Sequence, residues 1–157
     1  MAVPASLTKL VGRWSGRNTL YVPWLNPPES KSEATANVAT VVNGKFVTIA
    51  YSWADHGAPH EGLLLIGQHP KDGGVTASWT DSWHQGGSIL QLTGDVTGDG
   101  SVTLHASYPA PPDPDWGWRI VISAQPSGFD VVMTNITPKG EETVAVETHY
   151  EQRLTSA

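Results

Sequence analysis

The stretch at residues 74–83, G-V-T-A-S-W-T-D-S-W, sets a carboxylate between two indoles. Read as a strand, it turns Trp79, Asp81 and Trp83 to one face and Ser78, Thr80 and Ser82 to the other. A carboxylate among apolar rings must accept hydrogen bonds, gain proton affinity, or meet a ligand. A second group of candidates lies near the C-terminus, where E-T-V-A-V-E-T-H-Y-E-Q-R carries Glu147 and His149. If both stretches line one interior, Asp81 and His149 form an orienting pair for general acid–base work, and Glu147 adds a second carboxyl. The candidate catalytic residues are therefore Asp81, His149 and Glu147. The plainer reading of Asp81 is structural, as the acceptor of an indole N–H or of Arg153. No G-x-S-x-G elbow supplies a nucleophile.

Metal chemistry gains less from the pattern. The six histidines stand at 56, 60, 69, 84, 105 and 149, and no two occur at i, i+2 on one strand. His56 and His60 flank a turn beside Glu61, but zinc asks for three converging protein ligands. No metal site is expected. With no cysteine, thiolate ligands, disulfides and cysteine catalysis are excluded.

The 157 residues suit one domain spanning 1–157, with a net charge of −6 and no basic cluster. Nucleic acid and anionic membrane surfaces are thereby disfavoured as partners. The N-terminus has no long apolar run, so a cytoplasmic protein is the default expectation. Seven Trp against two Phe is an uneven ratio. Stability alone would favour Leu, Ile and Phe, so the indoles point to a hydrophobic cavity for a flat or apolar ligand, the alternatives being an oligomer interface or half-exposed positions.

Residues 4–10 predict a short helical turn with Ser6 as its cap. After that the pattern is strands and turns. The first strand covers residues 10–22 and stops at Pro23, and a loop holds the paired prolines at 27 and 28. The second, residues 31–42, meets the third, 45–53, through Asn43-Gly44, whose residues accept the positive φ of a type I′ turn. A turn at 54–59 leads to a fourth strand at 60–68, and Pro70 to Gly74 lead to the fifth at 74–83. Gly86-Gly87 and then Thr97 to Gly100 bound a sixth at 88–94 and a seventh at 101–108. A proline-rich loop at 109–115 is expected over a barrel mouth. The remaining strands cover 116–123, 128–137 and 141–154. About ten strands joined by hairpin turns predict an all-β fold, an antiparallel up-and-down β-barrel, with a β-sandwich as the alternative. No long crossover of the Greek-key kind is visible.

Gly12-Arg13-Trp14 on the first strand and Arg153 on the last resemble the calycin signature of lipocalins and fatty-acid-binding proteins. There an arginine from the last strand covers the tryptophan of G-x-W as a cation–π lid. The longer series L-V-G-R-W-S-G, N-G-K-F-V, H-E-G-L-L-L-I-G, W-T-D-S, M-T-N-I-T-P-K-G-E-E and E-T-H-Y-E-Q-R resembles a bacterial lipocalin-like family, the domain of unknown function family 1579. This resemblance spans nearly the whole chain. It implies a calycin-type barrel and brings no activity. Nitrobindin-type haem barrels are a neighbouring comparison, with a ligating histidine five positions before a tyrosine. Matching that tyrosine to Tyr150 puts Ala145 at the ligand position, so haem lacks its expected ligand.

The last strand poses a conflict. Val144, Val146 and Tyr150 share one face, while Ala145, Glu147, His149, Glu151 and Arg153 share the other. Periodicity would bury the valines, whereas the Trp14–Arg153 stack asks for the odd-numbered face inward. The odd-inward choice places His149 and Glu147 in the cavity and leaves the valines to meet a second subunit as a homodimer. Strand parity then predicts a ligand-binding wall of Tyr51, Trp53, Trp79, Asp81, Trp83, Trp118, Met133, Asn135 and His149, with Trp116 beside Trp118 and a rim position by the proline-rich loop as the alternative for both. The expected function is binding of a small apolar or aromatic molecule, without a cofactor. The alternatives are a cofactor-independent acid–base isomerase, cyclase or hydrolase using Asp81 and His149, and haem binding.

Overall fold

A computed structural model describes residues 3–154. A short helix, α1 (Ala5–Thr8), precedes ten strands: β1 (Gly12–Tyr21), β2 (Glu29–Val41), β3 (Phe46–Asp55), β4 (Ala58–Gln68), β5 (Val75–Asp81), β6 (Leu90–Val96), β7 (Val102–Ala110), β8 (Asp113–Gln125), β9 (Gly128–Ile136) and β10 (Glu142–Leu154). Each pairs antiparallel with its chain neighbours, and β1 pairs with β10, closing a barrel with no free edge. The closed ten-stranded barrel is consistent with the calycin-like fold expected from the sequence.

Turn chemistry explains the meander. Asn43 and Gly44 both take positive φ as expected, but Val42 joins them at 53°, and the loop spans the four residues between Val41 and Phe46. His56 and Gly57, at 47° and 84°, form the two-residue connection of the next hairpin. The proline-rich segment departs from the expected loop. β7 runs to Ala110 and β8 starts at Asp113, leaving only Pro111 and Pro112 between them. Proline's φ suits extended backbone, and at the mouth end of a hairpin its missing N–H costs no ladder bond. Ser6 does not cap α1 either. Pro4 occupies the cap position, and Ser6 lies inside the first turn.

The lower half of the barrel is a packed apolar core. Val47 and Ile49 of β3, Leu64 and Ile66 of β4, Ile120 and Ile122 of β8, and Phe129 and Val131 of β9 all point inward and are buried. Leu7 of α1 and Leu10 plug this end. Trp14 is buried beside them and donates from Nε1 to the Leu10 carbonyl at 2.8 Å. The Arg153 guanidinium stands 4.3 Å from the Trp14 ring centroid and donates from Nη2 to the Lys9 carbonyl at 3.2 Å. The expected cation–π lid is therefore present.

That lid does not require the odd-numbered face of β10 to be inward throughout. Ser15 pairs with Gln152 and Gly16 with Tyr150, so Glu151 is an extra residue in the ladder. A second bulge at Ala145 lies between Val144 and Val146. Between the bulges Val146, Thr148 and Tyr150 are buried, whereas Glu147 and His149 face out. The odd-inward expectation is thus overturned for Glu147 and His149. Strict alternation fails because one extra residue exchanges the two faces of a strand.

Candidate functional site

Asp81 is the hub of a hydrogen-bonded layer across the barrel. Cross-strand register aligns Tyr51 of β3, Gly62 of β4 and Asp81 of β5 in one row. Gly62 lets the Tyr51 ring lie flat over the middle strand, since a Cβ there would stand 2.1 Å from Tyr51 Cζ. The Tyr51 hydroxyl thereby donates to Asp81 Oδ2 at 2.6 Å and accepts from Trp79 Nε1 at 2.8 Å. Trp53 Nε1 donates to the same carboxylate oxygen at 3.2 Å. The other oxygen, Oδ1, accepts from the backbone N–H of Trp83 at 2.8 Å and of His84 at 3.3 Å. Four donors surround the carboxylate, which is how a buried Asp avoids the cost of lost hydration. Burial, with the adjacent Asp81 charge adding to it, holds the Tyr51 phenol well above its ordinary range.

β5 ends at Asp81, so Trp83 is not the third residue of a strand face as expected from alternation. Instead Asp81 caps a tight turn, with Gln85 N–H donating to the Asp81 carbonyl at 3.1 Å. That turn folds His84 back over the barrel interior. Its imidazole sits 4.7 Å from Trp83, 5.4 Å from Trp79, 5.5 Å from Trp118 and 6.1 Å from Trp53, centroid to centroid. Trp79 and Trp118 stack on each other at 5.3 Å and 11°. Burial lowers the His84 pKa to about 4, against the pull of Asp81 and with a smaller push from His60. His84 is therefore a neutral imidazole at pH 7.

Above this layer a cavity of about 760 Å³ opens to the mouth of the barrel. Its wall includes Trp79, Trp83, His84, Gln85, Tyr108, Trp116, Trp118 and Asn135, and its rim includes Val22, Pro23 and Trp24 from the β1–β2 loop. The Tyr108 hydroxyl donates to Asn135 Oδ1 at 2.5 Å. The indole N–H groups of Trp116 and Trp118 are buried and have no partner among the described residues.

Among the nine residues expected in the wall, Trp79, Trp83, Trp118 and Asn135 line this cavity. Tyr51, Trp53, Asp81 and Met133 lie beneath it, around a void of about 10 Å³. His149 is on the outer surface, hydrogen-bonded through Nδ1 to Asp130 of β9, with Glu151 3.5 Å from its Nε2. The Asp130 hydrogen bond is the main reason its pKa is raised, with burial opposing it. Glu147 accepts from the Tyr21 hydroxyl at 3.2 Å and is exposed. Asp81 is thus not joined by His149 or Glu147. The sequence reading overlooked His84, because strand parity says nothing of a residue beyond a strand end. The available signal was local: an Asp followed at i+2 and i+3 by Trp and His, then by Gly86-Gly87, is a capped turn that reverses the chain.

The sequence profile described as "Protein of unknown function (DUF1579)" matches residues 3–152. The chain belongs to this family. No curated protein sequence matches it. Within this DUF1579 barrel, no group of three or more His, Cys, Asp or Glu side chains among the described residues is placed to hold a metal ion. Ala145, where the haem comparison would want histidine, does line the cavity, yet it offers only a methyl group. Among the described residues no helix is long and apolar enough to cross a membrane.

Proposed function

We propose that this barrel binds a small aromatic or apolar molecule in the indole-lined cavity. One observation carries the reading: a mouth-open cavity of about 760 Å³ is walled by Trp79, Trp83, Trp116 and Trp118 around an uncharged His84. That volume is in the range of small-molecule sites, where apolar walls supply affinity and a few polar groups set orientation. The stacked pair Trp79–Trp118 is a flat platform for a planar ligand. His84 would fix its polar end, in place of the Asp81–His149 pair that the sequence suggested. The Asp81 layer would act as a rigid floor, because its acceptors are already occupied.

Titration with the hydrophobic fluorophore N-phenylnaphthylamine tests this reading. Saturable quenching of Trp emission, weakened by Trp79→Ala and by Trp118→Ala in folded protein, is the expected result. No saturable quenching by any of a panel of apolar aromatics would contradict it.

A further inference from the structure

The chain carries a net charge of −6, with charged side chains distributed along most strands. Yet among the described residues lining the large cavity, none is Asp, Glu, Lys or Arg. The sole titratable groups in that wall are His84, Tyr21 and Tyr108. His84 is uncharged at neutral pH, and both tyrosines have raised pKa values, mainly through burial, so neither ionises there. A charged ligand would lose its hydration there without meeting a counter-ion, and that loss opposes its binding.

Polar side chains of the wall are uncharged, and two are paired within the protein: the Tyr108 hydroxyl donates to Asn135 Oδ1, and the Gln85 amide nitrogen donates to the Trp79 carbonyl at 2.9 Å. A cation–π cage is poorly served, because Trp79 and Trp118 turn ring faces toward each other rather than around a common centre.

We infer that the cavity selects an uncharged ligand and discriminates against both carboxylate-type anions and ammonium-type cations. The selected class is a planar, neutral molecule that packs against the indole-rich, charge-free wall. This rests on the binding function proposed above and adds its chemical selectivity.

Two matched pairs of fluorophores test it on the full chain at pH 7. N-phenylnaphthylamine and anilinonaphthalene sulfonate share a skeleton and differ by one sulfonate. Diphenylhexatriene and its trimethylammonium derivative differ by one cation. The neutral member of each pair should bind at least about tenfold more tightly, the size expected when an ion is desolvated without a partner. Equal or tighter binding of either charged member overturns the selectivity while leaving the binding function standing. Binding of no member overturns both. As a gain-of-function control, Asn135→Asp keeps an oxygen for the Tyr108 hydroxyl and places one carboxylate in the wall. It should shift preference toward the trimethylammonium probe by about tenfold; an unchanged preference would overturn the assignment of selectivity to this wall.

Discussion

Tyr51 lies across Gly62, and this crossing lets a β3 phenol reach Asp81 on β5 at 2.6 Å. The middle strand contributes only backbone at that point, so two strands that are not ladder neighbours are tied together through side chains. The tie continues through Trp79 Nε1 to the Tyr51 hydroxyl and through Trp53 Nε1 to the carboxylate.

Gly62→Ala should therefore displace Tyr51 and destabilise the barrel by about 2–3 kcal/mol, combining overpacking with the loss of buried hydrogen bonds. Urea denaturation reads the change, and near-ultraviolet circular dichroism should report altered Trp packing. A loss below about 0.5 kcal/mol, the ordinary surface effect, would show that the crossing is not needed.

His84 makes stability depend on pH with a defined sign. Its folded pKa is about 4 against an ordinary value of 6.5. Above 6.5 the imidazole is neutral in both states and adds no slope. Between 6.5 and 4 the unfolded chain takes up a proton that the folded chain refuses, so stability falls with falling pH, by up to about 1.4 kcal/mol per unit. His84→Phe should flatten this part of the curve measured by urea denaturation. Parallel curves for the two proteins would assign the slope elsewhere.

His149 has the opposite sign. Its pKa is raised, so any stability from its Asp130 pairing is fully present below the unfolded value and is lost as pH rises through the folded one. With the side chain about half exposed, the effect should stay under about 0.5 kcal/mol. His149→Ala should also leave cavity binding of N-phenylnaphthylamine unchanged, measured by fluorescence titration. A marked loss of affinity would return His149 to the site.

Much of the fold is legible in the sequence, because turn residues such as Asn43-Gly44 and Gly57 announce the hairpins and the Trp14–Arg153 pairing announces closure. The faces of β10 are not legible. Tyr150 is buried and Arg153 covers Trp14, which strict alternation forbids, and the extra residue Glu151 reconciles them. Nothing in E-T-H-Y-E-Q-R marks a bulge, since its partner is Gly16 of β1, where a Cβ would stand 1.9 Å from the His149 carbonyl oxygen. That close approach belongs to the paired strands, not to either alone. The site was half legible for a similar reason. Trp79, Trp118 and Asn135 follow from alternation, whereas His84 depends on a turn built by Asp81 after its strand has ended.

The most direct test of the cavity as a binding site is to fill it. Leu90 is on its wall, half-buried, and Leu90→Trp adds an indole to the space without adding charge. N-phenylnaphthylamine affinity should fall by about tenfold or more while the midpoint of urea unfolding shifts little, because the added ring occupies a void rather than the packed core. Undiminished affinity in a correctly folded Leu90→Trp protein would contradict the account and place the probe elsewhere on the barrel.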